Sequence, residues 1–175
     1  MSQQSEFSRI IDTRHIEDKP IALIADAQEC KALARRFDLV AVHRLEATVT
    51  VTRDGTAFTA TGRMVADIVQ SCAISGEDLP VAIDEAVNMR FIPATGEQAG
   101  IPDEEVEITE EDCDEIEFTG ERFDLGEAVA QGLGLAIDPF AEGPEADRVR
   151  REVGLSGEAL SGPFAALAAL KGSKD

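Results

Sequence analysis

The side chains with the best chance of supporting chemistry are three cysteines, two histidines and many carboxylates. A structural zinc site uses four Cys or His ligands, usually in two close pairs. Here Cys72 is followed at the CxxC distance by Ser75, and the other two thiols stand alone. We therefore expect no metal and no cofactor, and an odd number of widely spaced cysteines favours reduced thiols.

None of the thiols has the sequence context of a catalytic nucleophile. Cys113 lies among carboxylates, which oppose formation of the thiolate. Cys30 falls in a predicted helix and Cys72 in a predicted turn, and neither has a neighbouring base in the sequence. His43 is expected on the inward or boundary face of a strand. We predict structural roles for these side chains and no catalytic residues.

Negative charge is concentrated in residues 103–127, called here the acidic segment. It contains thirteen Asp and Glu and one Arg, so it carries -12 of the formal net charge of -19. It lacks the glycine and glutamate spacing of an EF-hand, and such runs are most often solvated surfaces. The candidate partner-binding residues in it are Asp103, Glu104, Glu105, Glu107, Glu110, Glu111, Asp112, Asp114 and Glu115.

Residues 1–60 are nearly neutral, with nine acids and eight bases. Their candidate RNA-facing patch consists of Lys31, Arg35, Arg36, Arg44 and Arg53. The alternative interpretation is an ordinary solvated face with ion pairs of little energetic value.

Length and composition predict one ordinary domain with a real core, since 43% of the 175 residues are hydrophobic and the mean hydropathy is -0.10. No apolar run approaches the roughly 20 residues needed to span a bilayer. We expect a cytoplasmic protein. Because the aromatics are eight Phe with no Trp or Tyr, stacking platforms for bases are poorly supplied.

The elements that position these residues follow from local patterns. Asp26 with Glu29 has capping-box spacing and predicts a helix through about Phe37, and Asp124 with Glu127 predicts a second helix ending before Pro139. Alternating hydrophobic residues predict strands. The predicted strands cover 7–12, 21–24, 39–51, 57–70, 81–91 and 106–108, with a bulge or bend at Gly62.

The predicted fold is a single α+β domain with an antiparallel sheet, covered by one or two helices and accompanied by a short C-terminal helix. Closure of the sheet into a barrel is left open. The core domain is expected at residues 1–140, with a mobile loop at about 93–102, and residues 141–175 form a loosely structured tail whose helix spans 163–171.

Several stretches together resemble the YceD family, whose members are known as large ribosomal RNA subunit accumulation proteins. The resemblance covers about residues 40–171, and 7–37 is similar to the N-terminal part of an alphaproteobacterial member. The stretches are Val65–Val81, the acidic segment, Phe123–Val129, Leu135–Pro139 and Pro163–Lys171, and their motif positions are Cys72, Asp124, Leu125, Pro139, Phe164, Leu167 and Lys171.

The resemblance implies a process, accumulation of large-subunit ribosomal RNA, without catalytic residues. Many relatives carry a CxxC pair where this chain has Cys72 and Ser75, so the serine removes any metal or redox role of that pair. Our first hypothesis is a non-enzymatic assembly factor whose acidic segment contacts a basic ribosomal protein or the precursor particle. The second is direct RNA binding by the basic patch. A magnesium-dependent hydrolase or nuclease is the least favoured. The oligomeric state is left open.

Overall fold

The computed structural model describes residues 5–94 and 114–154, which contain both helices and strands. The described residues fall into two compact units, one within 1–70 and 80–138 and the other within 71–79 and 139–154. In chain order the elements are β1 (Ile10–Asp12), β2 (Pro20–Ile24), α1 (Ala27–Arg36), β3 (Ala41–Asp54), β4 (Ala57–Ser71), β5 (Asp78–Pro93), β6 (Asp114–Phe118), β7 (Arg122–Asp124), α2 (Leu125–Ala136) and α3 (Ala146–Val153).

Five strands form the main sheet in the order β2-β3-β4-β5-β6, while β1 and β7 pair separately and antiparallel. Strand β3 is antiparallel to both β2 and β4. Strand β6 is parallel to β5, so the prediction of a wholly antiparallel sheet is wrong at this edge. A parallel neighbour needs a connection of a dozen or more residues, and the 94–113 interval supplies that length. The α+β class is confirmed, and the sheet is not closed into a barrel.

Strand β3 follows its predicted alternation only after its first few residues. Leu45, Val49 and Val51 are fully buried, as the period of two predicts. The register against β4 shifts between Val42 and Arg44, so Val42 is buried and His43 is exposed. The expected inward or boundary position of His43 is therefore wrong, because a bulge reverses which side chains face the core.

Gly62 does not produce the predicted bulge, because β4 pairs with β3 in continuous register through this residue. A Cβ built on Gly62 would lie 2.0 Å from the Thr48 backbone oxygen and 2.8 Å from the Val49 Cα. The glycine is needed because the two backbones approach closely there.

Both main helices begin where their caps predict. Asp26 Oδ1 accepts hydrogen bonds from the Gln28 and Glu29 amides at 2.7 and 2.9 Å, and the Glu29 carboxylate accepts from the Asp26 amide. Asp124 caps α2 by accepting from the Glu127 amide at 3.1 Å. The apolar face of α2 enters the same core as the sheet, which explains why this helix stays attached.

Four phenylalanines form an aromatic cluster within that core. The Phe91 and Phe123 rings are stacked with centroids 4.1 Å apart, and Phe58 and Phe118 approach Phe123 at 5.7 and 5.6 Å. The cluster joins β4, β5, β6 and β7, so it attaches the C-terminal part of the acidic segment to the sheet.

The tail differs from its prediction in one respect. Residues 146–153 form α3, so the expectation of loose structure is wrong for this stretch, where Arg148 pairs with both Glu145 and Glu152 along the helix. The predicted strand at 106–108, most of the loop at 93–102 and the predicted helix at 163–171 lie outside the described residues. No helix in the described ranges combines the length and apolarity that crossing a membrane requires.

Candidate functional site

Arg36, one of the five residues of the basic patch, forms hydrogen bonds and ion pairs with other residues of the protein. Its guanidinium donates to both carboxylate oxygens of Glu127, at 2.9 and 2.7 Å, and to Glu6 at 2.9 Å. The hydrogen bonds from Arg36, followed by those from Ser5 and Gln131, lower the pKa of Glu127 to about 2. Arg36 therefore ties α1 to the start of α2 and is poorly placed to meet a phosphate.

Arg44 and Arg53 also make specific contacts with other residues of the protein. The Arg44 Nε donates to Asp67 at 2.7 Å, and its guanidinium lies 3.7 Å from Glu46. Arg53 donates to the Gly55 carbonyl oxygen at 3.1 Å and lies over the Phe58 ring. Both residues lie on strand β3, whereas the other three members of the basic patch lie on α1.

Arg53 is one of three exposed members of the basic patch that make no ion pair among the described residues. The other two are Lys31 and Arg35. They lie one turn apart on α1 and border an open groove of about 640 Å³ between this helix and the start of β3. His43 borders it from the opposite side because of the bulge in β3. The groove brings these three residues together, and the sequence did not associate His43 with them.

The described carboxylates of the acidic segment differ in their contacts, and one of them, the exposed Glu121, pairs with Arg14 at 3.0 Å. Asp124 and Glu127 are used internally, since Asp124 accepts from the Arg9 amide at 2.8 Å and Glu127 binds Arg36. Glu115 and Glu117 lie exposed on β6, with Glu115 only loosely paired to Arg90 at 3.8 Å. The candidates at 103–112 and the side chain of Asp114 lie outside the described residues.

Cys72 lies in a turn where polar groups surround its sulfur. Sγ accepts from the Ser75 amide at 3.4 Å and the Gly143 amide at 3.3 Å. Hydrogen bonding from the Ser75 side chain, then from these amides, lowers the pKa of Cys72 to about 7. The thiol is only 4% exposed, so this turn favours a thiolate without presenting it to a bulky substrate.

The remaining motif positions and the other two cysteines lie partly within and partly outside the described residues. Leu125 is fully buried in α2, Pro139 follows that helix, and Cys30 is a buried free thiol whose pKa is raised by desolvation and by nearby carboxylates. Phe164, Leu167, Lys171 and Cys113 lie outside the described residues. Within the ranges 5–94 and 114–154, no three His, Cys, Asp or Glu side chains converge as metal ligands would.

Comparison with known proteins identifies one family. The model of the family described as large ribosomal RNA subunit accumulation protein YceD matches residues 60–171, which is most of the chain and begins later than the predicted resemblance at about residue 40. No curated protein and no solved structure matches the chain. The family description names a process in ribosome production and no chemical reaction.

Proposed function

The chain belongs to the YceD family, and from this premise we propose that it is a non-enzymatic ribosome-biogenesis factor acting in the cytoplasm. In this proposal the acidic segment binds a basic ribosomal protein or the precursor of the large subunit, and the contact supports accumulation of the large-subunit RNA. The observation that carries the proposal is the -12 charge of the acidic segment.

The physical reason is electrostatic complementarity. A ribosomal protein that has not yet met RNA exposes many Lys and Arg side chains, and a dense negative surface attracts it and raises the rate of encounter. The same surface shields the basic protein from nonspecific polyanions. Binding of this kind weakens steeply with salt, because exposed charges are screened over about 8 Å at physiological ionic strength.

The contacts of the described carboxylates support one part of the acidic segment over the other as the partner-binding surface. Since Asp124 and Glu127 serve the fold, we assign partner binding to the N-terminal part of the acidic segment through β6. Strand β6 is an edge strand, and Glu115 and Glu117 are exposed along it. Charged residues on an edge also discourage sheet-to-sheet aggregation, which is the simpler interpretation of these two side chains.

Direct RNA binding is the second candidate function, supported by the exposure of Lys31 and Arg35. It is less favoured because Arg36 and Arg44 are held by carboxylates, so few cations are left for a phosphate backbone. A magnesium-dependent nuclease remains a third proposal, which a test for cleavage of precursor RNA by the purified protein addresses.

Affinity capture with and without ribonuclease tests the main proposal. The tagged full-length chain is expected to retain a basic large-subunit protein after ribonuclease treatment, and raising the salt concentration is expected to release it. Neutralising Glu110, Glu111 and Asp112 with Gln, Gln and Asn is expected to reduce the recovered partner several-fold, because these charges lie in the densest part of the acidic segment.

A matched control removes the same number of negative charges elsewhere. Asp18, Asp78 and Glu85 are exposed and lie outside the acidic segment, so the variant D18N/D78N/E85Q is expected to capture the partner normally. Equal losses in the two variants would show that only the total charge matters. Capture of RNA alone, lost on ribonuclease treatment, would contradict the proposal and favour RNA binding.

A further inference from the structure

The groove between α1 and β3 has an electrostatic character opposite to that of the whole chain. Not one of the described residues that line it is Asp or Glu, although the chain has 35 acids and 16 bases. Lys31 and Arg35 lie along one wall and His43 along the other. A locally basic groove on a protein of net charge -19 favours a negatively charged ligand.

The cations on this groove are available to a ligand. Lys31 and Arg35 are exposed and make no ion pair among the described residues, whereas the adjacent Arg36 is held by Glu127 at 2.7 Å. Arg35 lies in the last turn of α1 and so also suits the helix dipole, which accounts for a basic residue there but not for the lack of carboxylates among the described residues that line the groove.

The floor of the groove is aliphatic. Ala34 and Val42 are buried at its base, and Val40 beside them is 49% exposed. An exposed valine next to buried aliphatic side chains offers apolar surface that a ligand can cover. No Phe, Tyr or Trp is among the described residues that line the groove, so only the His43 imidazole and the Arg35 guanidinium offer planar surfaces there for an unpaired base.

We propose that this groove binds a short acidic peptide stretch of a protein partner, with carboxylates facing Lys31 and Arg35 and an aliphatic side chain on Val40. The mixture of a basic rim and an aliphatic floor fits such a peptide better than a nucleic acid. A long polyanion would also be repelled more strongly by the rest of this acidic chain. This site is separate from the acidic segment, so the two proposals can fail independently.

Fluorescence anisotropy with a labelled ten-residue peptide of alternating Glu and Leu tests the proposal on the full-length chain. Saturable binding is expected, and a peptide with Lys replacing every Glu is expected not to bind. The K31E/R35E variant is expected to bind roughly tenfold more weakly, the effect of losing two exposed ion pairs. V40D is expected to weaken binding as well, because it places a charge on the apolar floor.

The control variant K19E/R63E makes the same change in net charge with exposed residues outside the groove, and it is expected to bind the peptide normally. Should K31E/R35E fold poorly by circular dichroism, K31Q/R35Q replaces it, with weaker binding again expected. Equal binding of the Glu and Lys peptides, or equal losses in the two charge-reversal variants, would overturn the proposal. Tighter binding of single-stranded RNA that depends on Lys31 and Arg35 would replace the peptide with RNA.

Discussion

Replacing Arg36 with Ala tests whether this residue belongs to the fold or to a binding surface. The Arg36 and Glu127 side chains are each about three-quarters buried, at 25% and 26% exposure, and their contacts join α1 to α2. Removing the guanidinium leaves the Glu127 carboxylate with Ser5 and Gln131 as hydrogen-bond donors. We expect the R36A protein to fold with reduced stability.

The pKa of Glu127 bounds the size of the effect. A fall in that pKa from 4.5 to about 2 corresponds to a ceiling of roughly 3.4 kcal/mol, at 1.36 kcal/mol for each unit. Ser5 and Gln131 supply part of the effect, and partial exposure screens the charges. We therefore expect R36A to lower the free energy of unfolding by about 2 kcal/mol at pH 7, a value typical for a charged hydrogen-bonded pair.

Urea unfolding followed by circular dichroism measures this loss, since the chain has no Trp or Tyr to report by fluorescence. Because folding lowers the pKa of Glu127, the pair stabilises the protein above the unfolded value of 4.5 and loses its effect as the pH falls toward 2. The difference between wild type and R36A should shrink across that range. R35A is the matched control, and equal losses in R36A and R35A, or a loss independent of pH, would refute this role.

Three further predictions concern packing and thiol chemistry. Leu133 is fully buried in α2, whereas Leu135 is 79% exposed. In urea unfolding, L133A is expected to lower the free energy of unfolding by about 3 kcal/mol, and L135A by less than roughly 0.5 kcal/mol. Similar losses in the two variants would contradict the assigned buried face of α2. G62A is expected to destabilise by roughly 3 kcal/mol, because the new Cβ meets β3 backbone, and an unchanged unfolding midpoint would exclude the close approach. In a C113S background, the rate of Cys72 alkylation, measured by mass spectrometry, is expected to be slow and to rise with pH around a midpoint of about 7. The S75A substitution is expected to raise that midpoint. An unshifted midpoint would argue against hydrogen bonding from Ser75.

Local patterns predicted the parts of the fold that depend on near neighbours. The Asp26 and Asp124 caps are each defined by residues three positions apart, and α1 and α2 begin there. The alternation of β3 from Leu45 to Val51 likewise depends on one strand and its period. These features could be predicted because the atoms that stabilise them come from the same short stretch of chain.

The predictions that were wrong concern features that depend on contacts between segments distant in the sequence. The bulge that exposes His43 is a property of the β3–β4 pairing, and the need for Gly62 comes from the backbone of Thr48 on another strand. The partner of Arg36 is Glu127, which lies 91 residues away, so composition alone placed Arg36 with the RNA candidates. Charge counting finds a patch of basic residues, but only tertiary contacts show which charges are already paired.

The difference between the paired Arg36 and the two residues Lys31 and Arg35, which make no ion pair with any described residue, changes how RNA binding should be tested. Reversing Arg36 together with Lys31 and Arg35 would lower stability as well as surface charge, and a loss of crosslinking could then follow from unfolding. Reversing Lys31 and Arg35 alone leaves the contact with Glu127 intact. The K31E/R35E pair is therefore the suitable variant for both RNA crosslinking and peptide binding.

Zero-length carbodiimide crosslinking of native precursor particles, which joins carboxylates directly to lysines, tests the central claim most directly. Mass spectrometry is expected to find carboxylates between Asp103 and Glu121 joined to lysines of a large-subunit ribosomal protein. Ultraviolet crosslinking of the same particles tests the alternative, in which the protein contacts RNA directly. Crosslinks to RNA at Lys31 and Arg35, with none between the acidic segment and any protein, would contradict the account.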